Sequence, residues 1–346
     1  MLVTGHPVFR RFWYPVMPME QLADGPKPFR LLATDIVLWL DADGKPAAAL
    51  DRCCHRTAKL SRGFCEAGRI VCGYHGWQYD RTGRCVRVPQ IDPAREVKFG
   101  IPAYHCEERY GYAWVALAEP LYDIPEIPEA ADSRFRRIPQ FYETWDCAAM
   151  RFMENAFDAA HIAFVHRKTF GNQADPSIAE ARIEPFEDGF HFFSESQVRN
   201  PDIQKKNLGI ASEMTTRRRR NTYWLPFNMR LGIHYPNGLT HTIVNIMTPV
   251  EDNRSVLVQF CYRNDTEEQA KAADVIAFDR AVTLEDKYIL ETTEADVRLT
   301  DYAAREMSMP SDRPGLLIRR MLHDLLARHG EAASVAADAP DAVTVE

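Results

Sequence analysis

Cys53-x-His55 and Cys72-x-x-His75 set two thiols and two imidazoles in matched pairs, sixteen residues apart (56 to 71). Each pair is short enough to sit on one loop, so two facing loops would make a four-donor grip on a single compact metal centre. A structural zinc ion could take the same four donors. The downstream loop, Cys72-Gly73-Tyr74-His75-Gly76-Trp77, carries two glycines that let the backbone approach closely with its N–H groups. That feature suits a sulfide-bridged iron cluster.

A second constellation follows. Asn155, Asp158, His161 and His166 place four polar groups within twelve residues of an otherwise apolar stretch, where each costs free energy unless paired or metal-bound. His161 and His166 are five apart, which is about 140° around a straight α-helix. For both to hold one ion, the helix must end or widen between them. Two imidazoles alone make a weak site, so a carboxylate has to come from elsewhere in the chain.

The elements that must position these groups divide the sequence into two parts and a tail. To about Trp145 the chain is a series of short strand-like runs (Phe29 to Leu40, Ala47 to Leu50, Tyr112 to Leu117) broken by Gly, Pro and Asp, which predicts a small all-β module. A Pro- and acid-rich stretch, Leu121 to Ala131, can neither continue a strand ladder nor pack a helix interior, and it places a domain boundary near residue 140. Beyond it, Arg151 to Phe164 predicts a buried helix. Strand pairs are expected at Ala179 to Glu187 with Phe190 to Val198, and at Thr240 to Val250 with Ser255 to Arg263. Thr266 to Glu294 and Pro314 to Arg328 read as helices. The segments are therefore residues 1–140, 141–330 and a disordered tail at 331–346.

Composition bounds the possibilities. The chain has 346 residues, 46% of them hydrophobic, with 49 acids against 42 bases, a net charge of −7. The slight acidity argues against nucleic acid as a partner, no run is long and apolar enough to span a membrane, and Met1 to Pro15 lacks the features of a secretory signal. The expected location is cytoplasmic, and five of the eight cysteines lie between 53 and 85, a clustering that reports metal binding there more often than disulfides. Cys54 and Cys65 fall outside the ligand pattern and read as packing residues, as do Cys106, Cys147 and Cys261.

The two constellations together resemble the Rieske non-haem iron oxygenases, the aromatic-ring-hydroxylating oxygenase α subunits. The resemblance runs from Phe12-Trp13-Tyr14-Pro15 to the helix at Pro314, and the stretch from Asp51-Arg52-Cys53 to Tyr79-Asp80 is closest to homotrimeric N- and O-demethylases, such as methylxanthine N-demethylase and dicamba O-demethylase. It implies an α+β chain: an N-terminal all-β domain whose Cys53, His55, Cys72 and His75 hold a [2Fe–2S] cluster, and a helix-grip-like catalytic domain with an antiparallel sheet. The high-potential Rieske branch carries two further cysteines at places matching Ala58 and Tyr74, and a serine where Trp77 stands, so a lower potential is implied here. In the catalytic domain the resemblance gives one Fe(II) to His161, His166 and Asp286, with Glu285 and Glu291 as rival carboxylates. It also assigns Asp158 as an electron-transfer bridge, hydrogen-bonded to His75 of a neighbouring subunit and orienting His161, which requires a head-to-tail homotrimer.

The implied reaction uses O2 to hydroxylate, or to demethylate at an N- or O-methyl group, a small aromatic or heterocyclic substrate; cis-dihydroxylation is the alternative, and a non-catalytic electron carrier needs far fewer residues. The sequence has no G-x-G-x-x-G fingerprint and no second cysteine set. Electrons are therefore expected from a separate flavin and iron–sulfur reductase, with or without a ferredoxin. The basic run Arg217 to Arg220 reads as a solvated face, with reductase docking as the alternative. Alternation along Thr240 to Thr248 puts His241, Ile243, Asn245 and Met247 on one face. Asn245 is a candidate substrate contact on that face, and Thr293 is a second candidate beyond Asp286.

Overall fold

The computed structural model describes residues 2–331 apart from 93–94, 96, 178–180, 298 and 300–305. It divides into two compact units, one of Val3–Ile124 with Thr248–Glu251, the other of Pro125–Met247 and the chain from Asp252 onward. The division falls at Ile124, at the start of the Pro-rich stretch and not near residue 140. The reason is that Arg136–Trp145 is an edge strand of the second unit, paired antiparallel with Arg254–Arg263. The expected tail lies outside the described residues, save Glu331.

The first unit holds ten strands: β1 (Tyr14–Pro18), β2 (Lys27–Leu31), β3 (Thr34–Leu40), β4 (Pro46–Leu50), β5 (Phe64–Glu66), β6 (Arg69–Val71), β7 (Gln78–Tyr79), β8 (Cys85–Arg87), β9 (Ala103–Arg109) and β10 (Tyr112–Ala116). Six form a sheet in the order β1-β10-β9-β4-β3-β2, and β5 to β8 form a second, four-stranded sheet. Phe29 to Leu40, which reads as one strand, is a hairpin. Leu32 and Ala33 form its turn with φ of 47° and 58°, a backbone that costs roughly 1–2 kcal/mol for each residue bearing a Cβ. Their amides donate to the carbonyls of Pro249 and Val250, so the turn is held from a distant part of the sequence. Cys54 and Cys65 are exposed rather than buried packing residues. All three residues of β5 face solvent, and Cys54 sits on a loop with its Sγ 3.3 Å from Tyr79 Oη.

The second unit contains β11 (Arg136–Trp145), α1 (Ala149–Phe157), α2 (Ile162–Val165), β12 (Arg182–Phe186), β13 (Gly189–Arg199), α3 (Asp202–Leu208), β14 (Met214–Trp224), β15 (Asn228–His234), β16 (Thr240–Glu251, whose end from Thr248 belongs to the first unit), β17 (Arg254–Arg263), α4 (Ala272–Leu290) and α5 (Arg313–Arg328). Its seven strands form an antiparallel sheet in the order β11-β17-β16-β15-β14-β13-β12. The expected α+β architecture is present. The helix predicted over Arg151 to Phe164 stops at Phe157, because Asp158 is extended (φ −79°, ψ 140°). Phe157 pins that stop in place. It is buried edge-on against Phe190, Phe192 and Tyr223 of β13 and β14, with ring centroids 5.1, 6.2 and 6.0 Å away. α4 begins later than predicted, since Thr266 to Ala270 closes as its own turn. The helix then lies against β11 through Gln140–Asp279 (2.5 Å), Arg280–Glu143 (2.9 Å) and Lys287 to the Thr144 carbonyl (2.9 Å), and reaches β17 through Thr283 to Gln259 Oε1 (3.4 Å).

α1 and α5 are joined by a four-member ionic network. Arg151 pairs with Glu154 (3.1 Å) and with Glu306, and Arg319 pairs with Glu154 and with Glu306 (2.5 Å). Burial alone would raise the Glu306 carboxyl, but hydrogen bonds and charge from the two arginines outweigh it and hold the group down at about 2. Its folded value lies below the ordinary 4.5, so its contribution is complete above that value and is lost as pH falls through the folded one. Glu306→Gln is therefore expected to be less stable than the parent at neutral pH, with the gap closing as pH falls from 4.5 towards 2. Urea unfolding across that range checks it, and a gap independent of pH would contradict it.

Candidate metal centres and catalytic cavity

Cys53 and His55 lie on the loop after β4, and Cys72 and His75 on the loop joining β6 to β7. Both loops close in the same way. The Cys53 amide donates to the Ala58 carbonyl (2.8 Å) and the Cys72 amide to the Trp77 carbonyl (2.8 Å), while Thr57 and Gly76 donate back to the two cysteine carbonyls (3.0 and 2.9 Å). Thr57 and Gly76 occupy equivalent places with φ of 59° and 75°. At Gly73 a Cβ would sit 3.1 Å from the Arg62 carbonyl oxygen, so glycine lets the two loops meet.

The two cysteines are buried and the two imidazoles reach outward with their Nδ1 atoms 3.2 Å apart. This donor set fits a [2Fe–2S] centre with thiolate at its inner end and imidazole at its outer end. Burial pushes the Cys72 thiol up, so a metal charge is what would make it a thiolate. His55 stacks flat on Trp77, with centroids 4.4 Å apart and planes 3° apart. Tyr79, which carries no ligand spacing in the sequence, places its buried hydroxyl 3.0 Å from Cys53 Sγ. Burial raises that phenol far above its ordinary range, leaving it an O–H donor to the sulfur, and hydrogen bonds to cluster sulfurs tune the potential.

In the second unit, the helix ends before both histidines rather than between them. His161 precedes the one-turn helix α2 and His166 follows it. Their Nε2 atoms meet at 3.2 Å. Asp286 of α4 brings Oδ1 to 3.4 Å from His166 Nε2 and 3.7 Å from His161 Nε2. Donors about 2.1 Å from one metal and at right angles to each other are about 3 Å apart, so this set fits facial coordination. Glu285 is not a third donor to that point: its carboxylate lies behind His166, 3.1 Å from Nδ1, and accepts from Thr169 (2.7 Å). Glu291 faces away and accepts the Asp146 amide (3.0 Å). Asn155 donates to Asp286 Oδ1 (3.0 Å). Burial lowers the His166 basicity, against the opposing charge of Asp286, which favours the neutral imidazole that binds metals.

Asp158 accepts the amides of Ala160 (2.7 Å) and His161 (3.1 Å), and its Oδ2 is 3.5 Å from His161 Nδ1. Burial would raise its pKa, but these bonds and His161 bring it below the ordinary value.

The triad lines a cavity with about 960 Å³ of space not filled by atoms, part of it open to solvent. Its other walls include Phe152, Ile243 and Asn245, whose buried Oδ1 has no hydrogen-bond partner among the described residues. Thr293 does not line it: the residue lies beyond the end of α4, its hydroxyl bonded to the Leu290 carbonyl (2.7 Å). The basic run is not a solvated face either. Arg217 and Arg219 line the cavity, because alternate residues of β14 face opposite sides of the sheet.

The geometry ranks the three carboxylates. Asp286→Asn is expected to abolish Fe(II) retention at this site, Glu285→Gln to weaken it about 10- to 100-fold, and Glu291→Gln to leave it unchanged. Iron analysis after dialysis, with the cluster counted separately from its visible absorption, checks the order.

Residues 12–105 match the family model described as Rieske [2Fe-2S] domain, and residues 145–328 match the vanillate O-demethylase oxygenase C-terminal domain. The chain is 32% identical over 336 residues to methylxanthine N1-demethylase NdmA of Pseudomonas putida, covering 93% of this chain and 90% of that one. It is 32% identical over 163 residues to the oxygenase component of dicamba O-demethylase from Stenotrophomonas maltophilia, covering 46% and 48%. A solved structure of NdmA from Pseudomonas putida CBB5 superposes with a TM-score of 0.78 at 27% identity, covering 94% of this chain and 93% of that one. With a Rieske domain and an oxygenase catalytic domain matched along one chain, the protein belongs to the Rieske oxygenases, in the group that includes N- and O-demethylase oxygenase components.

Proposed function

We propose that this oxygenase component hydroxylates the methyl group of an N- or O-methylated small aromatic or heterocyclic molecule. Overall, R–CH3 takes one oxygen atom of O2, two electrons and two protons to give R–CH2OH and water; on nitrogen or oxygen the product collapses to formaldehyde. The observation that carries this reading is the convergence of His161, His166 and Asp286 on the wall of one cavity. Those three residues would hold a mononuclear Fe(II), which supplies the activation of dioxygen. Cys53, His55, Cys72 and His75 hold the cluster that delivers electrons to it.

The remaining residues position and insulate. Glu285 fixes the ring of His166 from behind, and Asp158 fixes that of His161. Asn155 holds Asp286 in one rotamer. The apolar walls keep bulk water from the reacting carbon, and Asn245 offers an acceptor that orients the substrate. Electrons come from a separate flavin and iron–sulfur reductase, with or without a ferredoxin. The protein works as a homotrimer in which His75 of one subunit hydrogen-bonds Asp158 of its neighbour.

A panel of N- and O-methylated aromatics, given to the purified protein with a surrogate reductase, should yield formaldehyde equal to the substrate consumed. A cis-diol product would instead assign dihydroxylation, and His161→Ala should stop both oxygen uptake and turnover while keeping the cluster's spectrum. Asp158→Asn is expected to retain the cluster and at least part of the iron, yet to lose at least about 100-fold in turnover. Single-turnover oxidation of the reduced cluster would then be slowed by the same factor, whereas a loss confined to iron content would make Asp158 purely structural.

A further inference from the structure

The cavity has a cationic wall that the metal chemistry leaves unused. Arg217 is 5% exposed, its Nε has no hydrogen-bond partner, and among the described residues no carboxylate lies within 4.0 Å of its guanidinium. Its neighbours are aromatic: the guanidinium carbon lies 4.2 Å from the centre of Phe170 and 5.8 Å from that of Tyr235. Arg219 beside it donates to Ser194 Oγ (3.0 Å). Burial and the charge of Arg217 bring Arg219 down to about 10, with Asp158 opposing. Asp158 acts on Arg219 through its charge but, among the described residues, makes no ion pair within 4.0 Å with either arginine. By contrast Arg218, on the outer face of the same strand, has its carboxylate in Glu195 (2.9 Å).

A buried cation such as Arg217 without a dedicated acid is costly, and truly buried ions nearly always have a partner. A guanidinium laid over a ring presents a planar fork that matches a carboxylate, and the match is strongest where water is excluded. β16 carries Asn245 on the same sheet, two strands over and level with Tyr223 rather than with Arg217. Phe170, under the Arg217 guanidinium, itself stacks on His166 with ring centroids 4.8 Å apart, so the cation lies one ring away from the histidine pair.

We propose that the substrate carries a carboxylate, and that Arg217, flanked by Arg219, binds it within the catalytic cavity. This deepens the oxygenase reading and rests on it for the fate of the bound molecule. The anion fixes one end of the ring so that the substituent to be oxidised faces His161, His166 and Asp286.

The test is binding without turnover. Anaerobic calorimetry on the holoenzyme uses 3- and 4-methoxybenzoate and the corresponding methoxybenzamides, which are neutral but nearly isosteric. The acids are expected to bind about 10- to 100-fold more tightly than the amides. Arg217→Gln should remove that preference and Arg217→Lys should retain part of it. Amides binding as well as acids, neither binding, or a preference that survives Arg217→Gln would each overturn the proposal. Should Arg217→Gln fail to fold, the ratio in the parent protein and in Arg217→Lys decides. Acid binding that depends on Arg217 but gives no oxidised product would keep the anion site and sink the oxygenase reading; turnover of the amides alone would do the reverse.

Discussion

Asp158 ends α1 and takes the amides of Ala160 and His161 on its own carboxylate, and the meeting of His161, His166 and Asp286 depends on that turn. Had the helix continued, His161 and His166 would point about 140° apart. Broken there, the chain restarts as a single turn whose two ends are the two histidines, and their Nε2 atoms meet. The turn needs a fixed support, and Phe157, one residue earlier, supplies it by burying its ring among the aromatics of β13 and β14. A polar group thus sets direction while an apolar one sets position. The carboxylate that caps the turn also lies 3.5 Å from His161 Nδ1, so one side chain faces both the backbone turn and the ring that follows it.

The cluster site is built on a different plan. Its two loops repeat one closure, each cysteine amide bonding five residues ahead, and the close packing at Gly73 brings them together. Nearly all of that is short-range. Ligand type, loop length and the glycines all sit within a few residues of each other, which is why spacing alone reveals it. Tyr79 is the exception, because its hydroxyl reaches a sulfur twenty-six positions away in sequence.

Charge shows the limit of reading composition along a line. Arg217 to Arg220 looks like a surface run, but strand alternation sends two of its members inward. Glu129, within an acid-rich stretch read as a boundary, is 6% exposed, paired with Arg230 and bonded to Thr242 (2.9 Å). In both cases the decisive neighbour lies on another element, and a one-dimensional count cannot register it.

From the sequence came the donor types, their pairing on short loops, the apolar segment carrying two histidines, and the periodicities of most strands. These are local properties, written in spacing and alternation. Tertiary structure alone decided which of Glu285, Asp286 and Glu291 meets the histidines, because α4 presents only one of them to that point. It also decided that Leu32 and Ala33 turn against their own preference, since the bonds holding them come from Pro249 and Val250. Where the units divide, that Thr293 misses the cavity and that Arg217 enters it all follow from how separate elements pack. The physical reason is common to all of these: each depends on a contact between residues far apart in the chain, whose free energy exists only once the fold has brought them together.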